Sequence, residues 1–288
     1  MLGALVAVAM LGGGELALRA AGVPDPGLYE GDPAWLWYLR PELDRVVPGP
    51  SGDFRVQTTA EGLRGPSPPS NGPWTLVLGC STTFGWGVEA EEAWPARLAR
   101  LSDLAVVNGG VPGWSTAQAV RGAGRWLDAG PTEVILAFGV RDAWPASRSD
   151  VEARPTHPLL LSQLGRLLRS LTHGERSAAP SRGRVADAGA FRVPPAAFAE
   201  NTRRLVARAG DAEVHLLWFP QQEARTPWRR ALEAVGPVIA PTLDPVDYFT
   251  DDPVHLTPSG HARLAVAVAD ALSAAAAPAP EGKPPGLR

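Results

Sequence analysis

Ser81 stands where α/β proteins place reactive side chains. It follows an apolar run at residues 76–78 that is short enough to be a buried strand, and a helix is predicted to begin near Trp94. Open parallel sheets carry their reactive groups at the carboxyl ends of strands, just before the next helix. Free backbone N–H groups at such a turn can also stabilise an oxyanion. The position therefore predicts a nucleophilic serine.

A candidate base for this serine lies far downstream, in the segment Asp252-Pro253-Val254-His255. The Asp-x-x-His spacing suits a short turn in which the carboxylate orients the imidazole, which could then accept the serine proton. Either motif alone is more typical of a surface loop or a capped helix, but the two together favour a Ser-His-Asp site. His261, in the first turn of a predicted helix, is interpreted as a packing residue.

Four sequence blocks follow one another in a recognisable order. They are Gly79-Cys80-Ser81 with Phe84-Gly85-Trp86-Gly87-Val88 behind it, residues 107–116, Phe138-Gly139-Val140-Arg141-Asp142, and residues 252–261. Together they resemble the SGNH hydrolases, the GDSL-like esterase and lipase superfamily. The resemblance covers about residues 54–272, and its first and last blocks are the most specific.

The resemblance implies a role for each site residue. Ser81 would be the nucleophile, and its backbone N–H would be one donor to the oxyanion. Gly113 would lend a second backbone N–H. His255 would be the base, oriented by Asp252. The family's third oxyanion donor is an asparagine side chain, and Arg141 occupies that position here.

Two positions depart from the family pattern. Cys80 replaces the usual aspartate before the serine, a change that we expect to alter the support of the loop more than the chemistry. A nucleophilic Cys80 is the less favoured alternative. Arg141 could donate to the oxyanion, bind an anionic part of a substrate, or pair with Asp142 and leave the oxyanion hole one donor short. Losing one such donor typically costs about a hundred- to a thousandfold in rate.

Composition narrows the classes of function. The chain has 288 residues, 45% of them hydrophobic, which is enough for one large α/β domain. Its net charge of −3 indicates no nucleic-acid partner, and its single cysteine excludes an intramolecular disulfide. No cluster has metal-ligand spacing, and there is no phosphate-binding or dinucleotide motif. We therefore expect neither a metal nor a cofactor.

The order of elements predicts the fold. Strands at 76–78, 104–107, 134–138 and 214–219 alternate with helices at 94–101, 116–129, 194–209, 228–235 and 259–274. This alternation predicts a three-layer α/β/α domain with a central parallel sheet, the flavodoxin-like SGNH hydrolase fold, over residues 54–274. Three consecutive strands deliver their loops to the same sheet edge, where ligands bind.

The remaining segments receive simpler predictions. Residues 22–53 predict an irregular linker that forms a stalk or wraps onto the domain. A leucine-rich helical pattern covers residues 159–171, a polar surface loop residues 172–190, a further site-edge loop residues 220–226, and a disordered Pro/Ala tail residues 275–288. His157 and His173 fall in loops, and His215 falls in a strand.

Residues 1–21 begin with an apolar segment shorter than the roughly 20 residues that span a bilayer. It lacks the basic start of a secretory signal. An anchor or export signal is favoured over a buried helix, because membrane-anchored bacterial SGNH proteins look similar here. We therefore expect membrane association through the N-terminus and a catalytic domain outside the cytoplasm.

The predicted function is a serine esterase that acts on a small-molecule, glycan or lipid ester of the cell envelope. An O-acyltransferase of the same fold is one alternative, because the chemistry differs only in the acyl acceptor. A non-catalytic envelope binding protein is another, favoured by Cys80 and Arg141 and opposed by the intact set of Ser81, Asp252 and His255. A cytosolic esterase with a buried N-terminal helix is a third.

Overall fold

A computed structural model describes residues 2–21, 23, 25, 27–32, 36–102, 104–146, 149–152, 162–165, 167–168, 190–219 and 225–276. Most of the predicted helical segment 159–171 and surface loop 172–190 lies outside the described residues. The same is true of His157, His173, most of the site-edge loop 220–226, and the tail beyond residue 276.

The described residues form helices and short strands. The helices are α1 (Leu2–Ala21), α2 (Ser81–Phe84), α3 (Trp94–Leu101), α4 (Thr116–Gly122), α5 (Gly124–Leu127), α6 (Pro195–Arg208), α7 (Thr226–Glu233) and α8 (Pro258–Ala276). The strands are β1 (Tyr29–Asp32), β2 (Leu36–Leu39), β3 (Asp44–Gly49), β4 (Gly52–Gln57), β5 (Trp74–Gly79), β6 (Ala105–Gly110), β7 (Glu133–Ala137), β8 (Pro145–Ala146), β9 (Ala190–Phe191), β10 (Glu213–Leu217), β11 (Val238–Ile239), β12 (Tyr248–Phe249) and β13 (Asp252–Leu256).

Five strands form the central sheet, in the order β11-β10-β7-β5-β6, and every neighbouring pair is parallel. Counted along the chain, this is the order 2-1-3-4-5 of flavodoxin-like folds. Such an order reverses direction between its first and third strands, here β5 and β7. The crevice at the carboxyl end of these two strands is where this topology binds ligands.

Alternate side chains of the sheet face two separate cores. On one face, Leu76 and Leu136 pack with apolar residues of α4, α5, α6 and α7. On the other face, Val77 and Ile135 pack with apolar residues of α3 and α8. Because β5 is buried on both faces, it consists almost entirely of apolar residues. The predicted three-layer α/β/α fold is therefore confirmed.

One helix and one strand of the domain differ from the prediction. The predicted helix 116–129 is two helices, α4 and α5, which meet where Gly122 and Gly124 flank Ala123; glycine weakens a helix interior by roughly 1 kcal/mol. The fifth strand, β11, is only two residues long, so no alternating pattern could reveal it. It pairs with β10 at the edge of the sheet.

The predicted irregular linker at 22–53 is wrong for most of its described residues. Strands β1 and β2 form one antiparallel hairpin, and β3 and β4 form a second. Leu28, Leu39 and Phe54 from these hairpins are buried in the core of the domain. The predicted start of the domain at residue 54 also falls inside β4. Sequence alternation predicts a strand at 54–58, which overlaps β4, but it does not reveal β1, β2 and β3, which are short and have few fully buried positions.

Helix α1 leaves most of its large apolar side chains in solvent. Leu2, Leu5, Val8, Met10 and Leu16 are each more than 60% exposed. Near its end, the carboxylate of Glu15 accepts hydrogen bonds from the backbone N–H groups of Gln163 and Leu164. Of the helices in the described part of the chain, none is both long enough and apolar enough to cross a membrane.

His261 joins the two helices that cover one face of the sheet. It lies in the first turn of α8, is 1% exposed, and its Nδ1 accepts a hydrogen bond from the backbone N–H of Trp94, the first residue of α3. Burial lowers the pKa of His261 to about 3, and the nearby charges of Arg64 and Arg97 act in the same direction. The imidazole is therefore neutral, and the predicted packing role agrees with this geometry.

Acid should destabilise the fold through His261. In the unfolded chain this histidine gains a proton below its usual pKa of 6.5, whereas in the folded protein it stays neutral down to about pH 3. The free energy of unfolding then falls by about 1.4 kcal/mol for each pH unit below 6. In His261→Asn, whose amide oxygen can still accept from Trp94, we expect a shallower slope between pH 6 and pH 4, measured by urea denaturation.

The matched control is His215→Asn, which removes a histidine that is not fully buried. An unchanged slope in His261→Asn would contradict the neutral, buried state of His261.

Candidate active site

A hydrogen-bonded chain joins the three residues that the sequence predicts as nucleophile, base and orienting acid. Ser81 Oγ lies 2.8 Å from His255 Nε2, and His255 Nδ1 lies 2.6 Å from Asp252 Oδ2. Because an ionised carboxylate only accepts hydrogen bonds, Nδ1 carries the imidazole proton and Nε2 accepts from the serine hydroxyl. The arrangement can remove a proton from Ser81 and return it to a leaving group.

Asp252 stays ionised and accepts hydrogen bonds from the backbone of the residues that follow it. Its Oδ1 accepts from the backbone N–H groups of Val254 at 3.1 Å and His255 at 3.3 Å. Burial alone would raise the pKa of Asp252, but the hydrogen bond and charge of His255 and these two backbone bonds together lower it. The same bonds curl the start of β13, which is how a spacing of three residues brings ring and carboxylate together on a strand.

Ser81 is the first residue of α2, and that short helix is held tightly against β6. A Cβ added to Gly110 would lie 2.3 Å from the backbone nitrogen of Phe84, so only glycine allows this approach. The side-chain amide of Asn108 donates to the carbonyl oxygens of Thr83, at 3.1 Å, and Phe84, at 3.4 Å. These contacts fix the position of the serine from the side of the neighbouring strand.

Arg64 holds the far end of the same helix. Its guanidinium donates to the carbonyl oxygens of Phe84 at 2.5 Å, Gly85 at 2.6 Å and Val88 at 2.6 Å. It also lies over the ring of Phe84, 4.2 Å from the centroid. Burial lowers the pKa of Arg64 to about 10, with Glu89 and Glu91 opposing the shift, so it remains charged at neutral pH.

Two backbone amides that the sequence predicts as oxyanion donors are free of acceptors in the described residues. Among the described residues, neither the N–H of Ser81 nor that of Gly113 donates to a protein acceptor. Gly113 has φ of +86°, a conformation that favours glycine, and an added Cβ would approach the ring of Trp37 to 3.1 Å. Trp37 in turn donates from its indole to the carbonyl oxygen of Pro112 at 3.2 Å. Hairpin β1–β2 therefore packs against the loop that contains Pro112 and Gly113 and restricts its conformation.

Arg192 secures the other side of the loop. One of its nitrogens donates to the carbonyl oxygen of Gly113 at 2.7 Å and another to Gln118 Oε1 at 2.9 Å. The guanidinium also pairs with Asp150 at 2.6 Å. Because the carbonyl of Gly113 is engaged on this side, the orientation of the peptide plane of the loop is fixed.

Both carboxylate oxygens of Asp142 accept hydrogen bonds from nearby residues. One carboxylate oxygen accepts from the N–H of Thr116 at 2.8 Å and from its hydroxyl at 2.6 Å, and the other accepts from the N–H of Gly139 at 3.1 Å. Burial raises the pKa of Asp142, while these hydrogen bonds oppose the shift. The structure therefore gives no pairing between Asp142 and Arg141, one of the three alternatives left open by the sequence.

Arg141 is the unusual group of the site. It is 6% exposed and lies over the ring of Trp144, 3.9 Å from the centroid. Its Nε and Nη1 are buried and have no hydrogen-bond partner among the described residues. Burial lowers the pKa of Arg141, with Cys80 and Asp252 among the groups that oppose the shift. Donation to an oxyanion and binding of a substrate anion both remain compatible with this geometry.

Cys80 is buried beside Ser81. Its side chain belongs to the core between the sheet and helices α3 and α8, and its Sγ lies 3.3 Å from the hydroxyl of Thr82. Its expected role in the support of the loop stays a prediction.

A cluster that sequence spacing could not reveal lies at the opposite end of the strands. Glu133, Glu213 and His215 offer ligand atoms within 4.8 Å of one another, the one such group found in the described residues. Glu133 and Glu213 are register partners at the starts of β7 and β10. The cluster is remote in sequence and in strand position from Ser81, and the side chains around Ser81 include no comparable ligand set in the described part of the chain.

The sequence did not predict Arg64 or Arg192 as parts of this site, or the contact of Trp37 with the Gly113 loop. Each acts through carbonyl oxygens that are 20 to 79 positions away in sequence. Each arginine stands among apolar or glycine residues, which indicates that its charge could be buried. This pattern is too common to identify the group that the arginine binds.

A match to one protein-family model identifies the family of the chain. The GDSL-like lipase/acylhydrolase family model matches residues 77–263, and a comparison with curated proteins finds no match. A G-D-S-L family protein from Desulfitobacterium hafniense is 15% identical, covers 69% of this chain and 99% of its own, and gives a TM-score of 0.45. A mutant of an acetyl-xylooligosaccharide esterase from Geobacillus is 16% identical, covers 69% of this chain and 94% of its own, and gives a TM-score of 0.41.

The matched region contains Ser81, Gly113, Arg141, Asp252 and His255, and it is more than half of the chain. The chain therefore belongs to the GDSL-like lipase/acylhydrolase family of the SGNH hydrolase superfamily, and it is a hydrolase of ester bonds.

Proposed function

We propose that the chain is a serine esterase in which Ser81, His255 and Asp252 form the catalytic triad. The observation that carries the proposal is the unbroken chain of hydrogen bonds from Asp252 through His255 to Ser81. The two backbone amides beside Ser81 Oγ and in the loop of Gly113 add the second requirement of acyl transfer, a receptor for negative charge.

In the first half of the reaction, His255 Nε2 removes the proton of Ser81 as Oγ attacks the carbonyl carbon of the ester. The negative charge that develops on the carbonyl oxygen is stabilised by the N–H groups of Ser81 and Gly113, with Arg141 as the third donor. Asp252 stabilises the imidazolium. The imidazolium then protonates the departing alcohol, which leaves an acyl group on Ser81.

In the second half, a water molecule takes the place of the alcohol. His255 removes a proton from this water as it attacks the acyl carbon, and the same oxyanion contacts form again. Collapse of the intermediate returns the proton to Ser81 and releases the carboxylic acid. The bond broken is thus the ester C–O bond, and the family membership of the chain supports water as the acceptor.

We further propose that the substrate is a glycan or lipid ester at the cell envelope and that α1 associates with a membrane. Support comes from α1 itself. It carries no charged residue before Glu15, and its large apolar side chains are exposed to solvent. Burying each such side chain contributes about 1.5 to 3 kcal/mol, so several together favour a lipid surface. In this arrangement the catalytic domain lies outside the cytoplasm.

Ser81→Ala should abolish both covalent labelling by a fluorophosphonate and hydrolysis of p-nitrophenyl butyrate, because it removes the nucleophile. We expect a loss of about 10⁶-fold in kcat. The full chain with Ser67→Ala, which removes an exposed hydroxyl bound to Glu61, is the matched control and should label like the wild type. Labelling that persists in Ser81→Ala would place the nucleophile elsewhere.

His255→Ala should cost more activity than Asp252→Asn. The first change removes the base, at about 10⁶-fold in kcat, whereas the second leaves the base but loses its orientation and charge partner, at about 10⁴-fold. Steady-state hydrolysis of p-nitrophenyl butyrate at pH 8 measures both. A larger loss from Asp252→Asn than from His255→Ala would mean that the two roles are misassigned.

The full chain should sediment with phospholipid vesicles, and the double change Leu5→Asp with Val8→Asp should lower the bound fraction at least tenfold. Both side chains are exposed on α1, and charging them opposes insertion into a lipid surface. Val46→Asp, at an equally exposed valine of β3, is the control. Equal sedimentation of the double variant and the control would contradict the role of α1.

A further inference from the structure

Arg141 carries a buried positive charge that has no hydrogen-bond acceptor in the described part of the chain. It is 6% exposed, and no hydrogen bond or ion pair to it occurs among the described residues. Removing an isolated charge from water is costly, and proteins compensate such charges with a partner. Arg64, which is buried to a similar degree, has carbonyl acceptors for both of its terminal nitrogens. Arg141 therefore differs from the other buried arginine of the site in lacking its acceptors.

The nearby carboxylates are already engaged. Asp142 accepts from Thr116 and Gly139, Asp252 accepts from His255, and Asp150 is paired with Arg192. Of these, Asp252 lies within electrostatic reach of Arg141 but is not bonded to it. A counter-ion for Arg141 must therefore come from outside the described protein groups.

The shape of the guanidinium shows how a ligand can reach it. Trp144 covers one face of the plane at 3.9 Å, so acceptors approach along the edges. The two buried nitrogens without partners among the described residues, Nε and Nη1, direct their hydrogens along different edges of the group, within its plane. One oxygen cannot accept from both with good geometry. If the oxyanion takes one donor, a second acceptor is still required.

The position of Arg141 places that second acceptor on the substrate. Ser81 follows β5 and Arg141 follows β7, adjacent strands on either side of the switch point of the sheet. Arg192 and Asp252 both lie within electrostatic reach of Arg141, and the buried Arg225 lies within reach of Cys80. Tyr29, whose pKa is raised by burial, adds an uncharged phenol near Arg141.

We propose that Arg141 binds an anionic group of the substrate, so that the enzyme selects esters that carry a carboxylate or phosphate close to the scissile bond. This inference rests on the proposed esterase function and names its substrate class. The replacement of the family's asparagine by arginine then changes specificity from neutral towards acidic esters. A fixed, planar cation with several donors suits carboxylate and phosphate oxygens.

Two pairs of esters test the proposal on the full chain. Mono-p-nitrophenyl succinate is compared with p-nitrophenyl butyrate for an anion on the acyl side, and 3-carboxyphenyl acetate with phenyl acetate for an anion on the alcohol side. The quantity measured is the ratio of kcat/KM within each pair. We expect the wild type to exceed Arg141→Asn in one of these ratios by about ten- to a hundredfold, the effect of a charge-assisted hydrogen bond.

Arg141→Asn is chosen because asparagine restores the family's neutral oxyanion donor while it removes the charge. Dividing the ratio of the wild type by that of the variant cancels the intrinsic reactivity of the esters and any general loss of rate. Arg208→Asn, at an exposed arginine paired with Asp128, is the matched control and should keep the wild-type ratios. Ratios that are the same in the wild type and Arg141→Asn, for both pairs, overturn the proposal.

A binding measurement separates this inference from the proposed function. Calorimetry of monomethyl succinate with Ser81→Ala, against Ser81→Ala/Arg141→Asn, requires no turnover, and methyl butyrate is the neutral control. Tighter binding of the anion that is lost with Arg141 supports the proposal, and equal binding by the two proteins overturns it. Failure of the wild type to label with a fluorophosphonate would instead count against the esterase function and leave the calorimetric result standing.

Discussion

The common level at which three parallel strands end is the constraint on which the site depends. Gly79 at the end of β5 is in register with Gly110 of β6 and with Ala137 of β7. Three loops therefore leave the sheet side by side, and they carry Ser81, the Gly113 amide and Arg141. A slip of one residue in any pairing would exchange the two faces of the strand and bury the wrong side chains. The apolar cores on both faces thus fix the site as well as the fold.

Polar groups at this edge are stabilised mainly through the backbone. Arg64 binds carbonyls at the end of α2, Arg192 binds the carbonyl of Gly113, and Asp142 binds the amides of Thr116 and Gly139. Arg64 and Asp142 are buried and Arg192 is half-buried, and a buried polar group is costly unless it is bonded. Hydrogen bonds to backbone groups stabilise each buried charge, and the same bonds hold the loop in one conformation. The N–H groups of Ser81 and Gly113 are left out of this network, which keeps them available to a reacting oxygen.

The sequence predicted what depends on local pattern. The buried strands around 76–78 and 134–138, the helices that follow them, and the Asp252-x-x-His255 spacing all have signals within a few residues. The strands β1, β2 and β3 did not, because such short strands have little alternation, and their burial depends on a distant core. The contacts of Trp37, Arg64 and Arg192 join positions far apart in the chain, so only the folded topology reveals them.

The contrast between Arg64 and Arg141 links stability to specificity. Both guanidiniums are buried against aromatic rings, Arg64 over Phe84 and Arg141 over Trp144. Both terminal nitrogens of Arg64 have carbonyl acceptors, so its burial stabilises the turn of Ser81. Among the described residues Arg141 has no such acceptors, so its burial costs free energy until an acceptor arrives. An acceptor that arrives with the substrate recovers that free energy on binding, and a negatively charged acceptor recovers the most. A side chain that destabilises the empty site can therefore favour acidic esters over neutral ones.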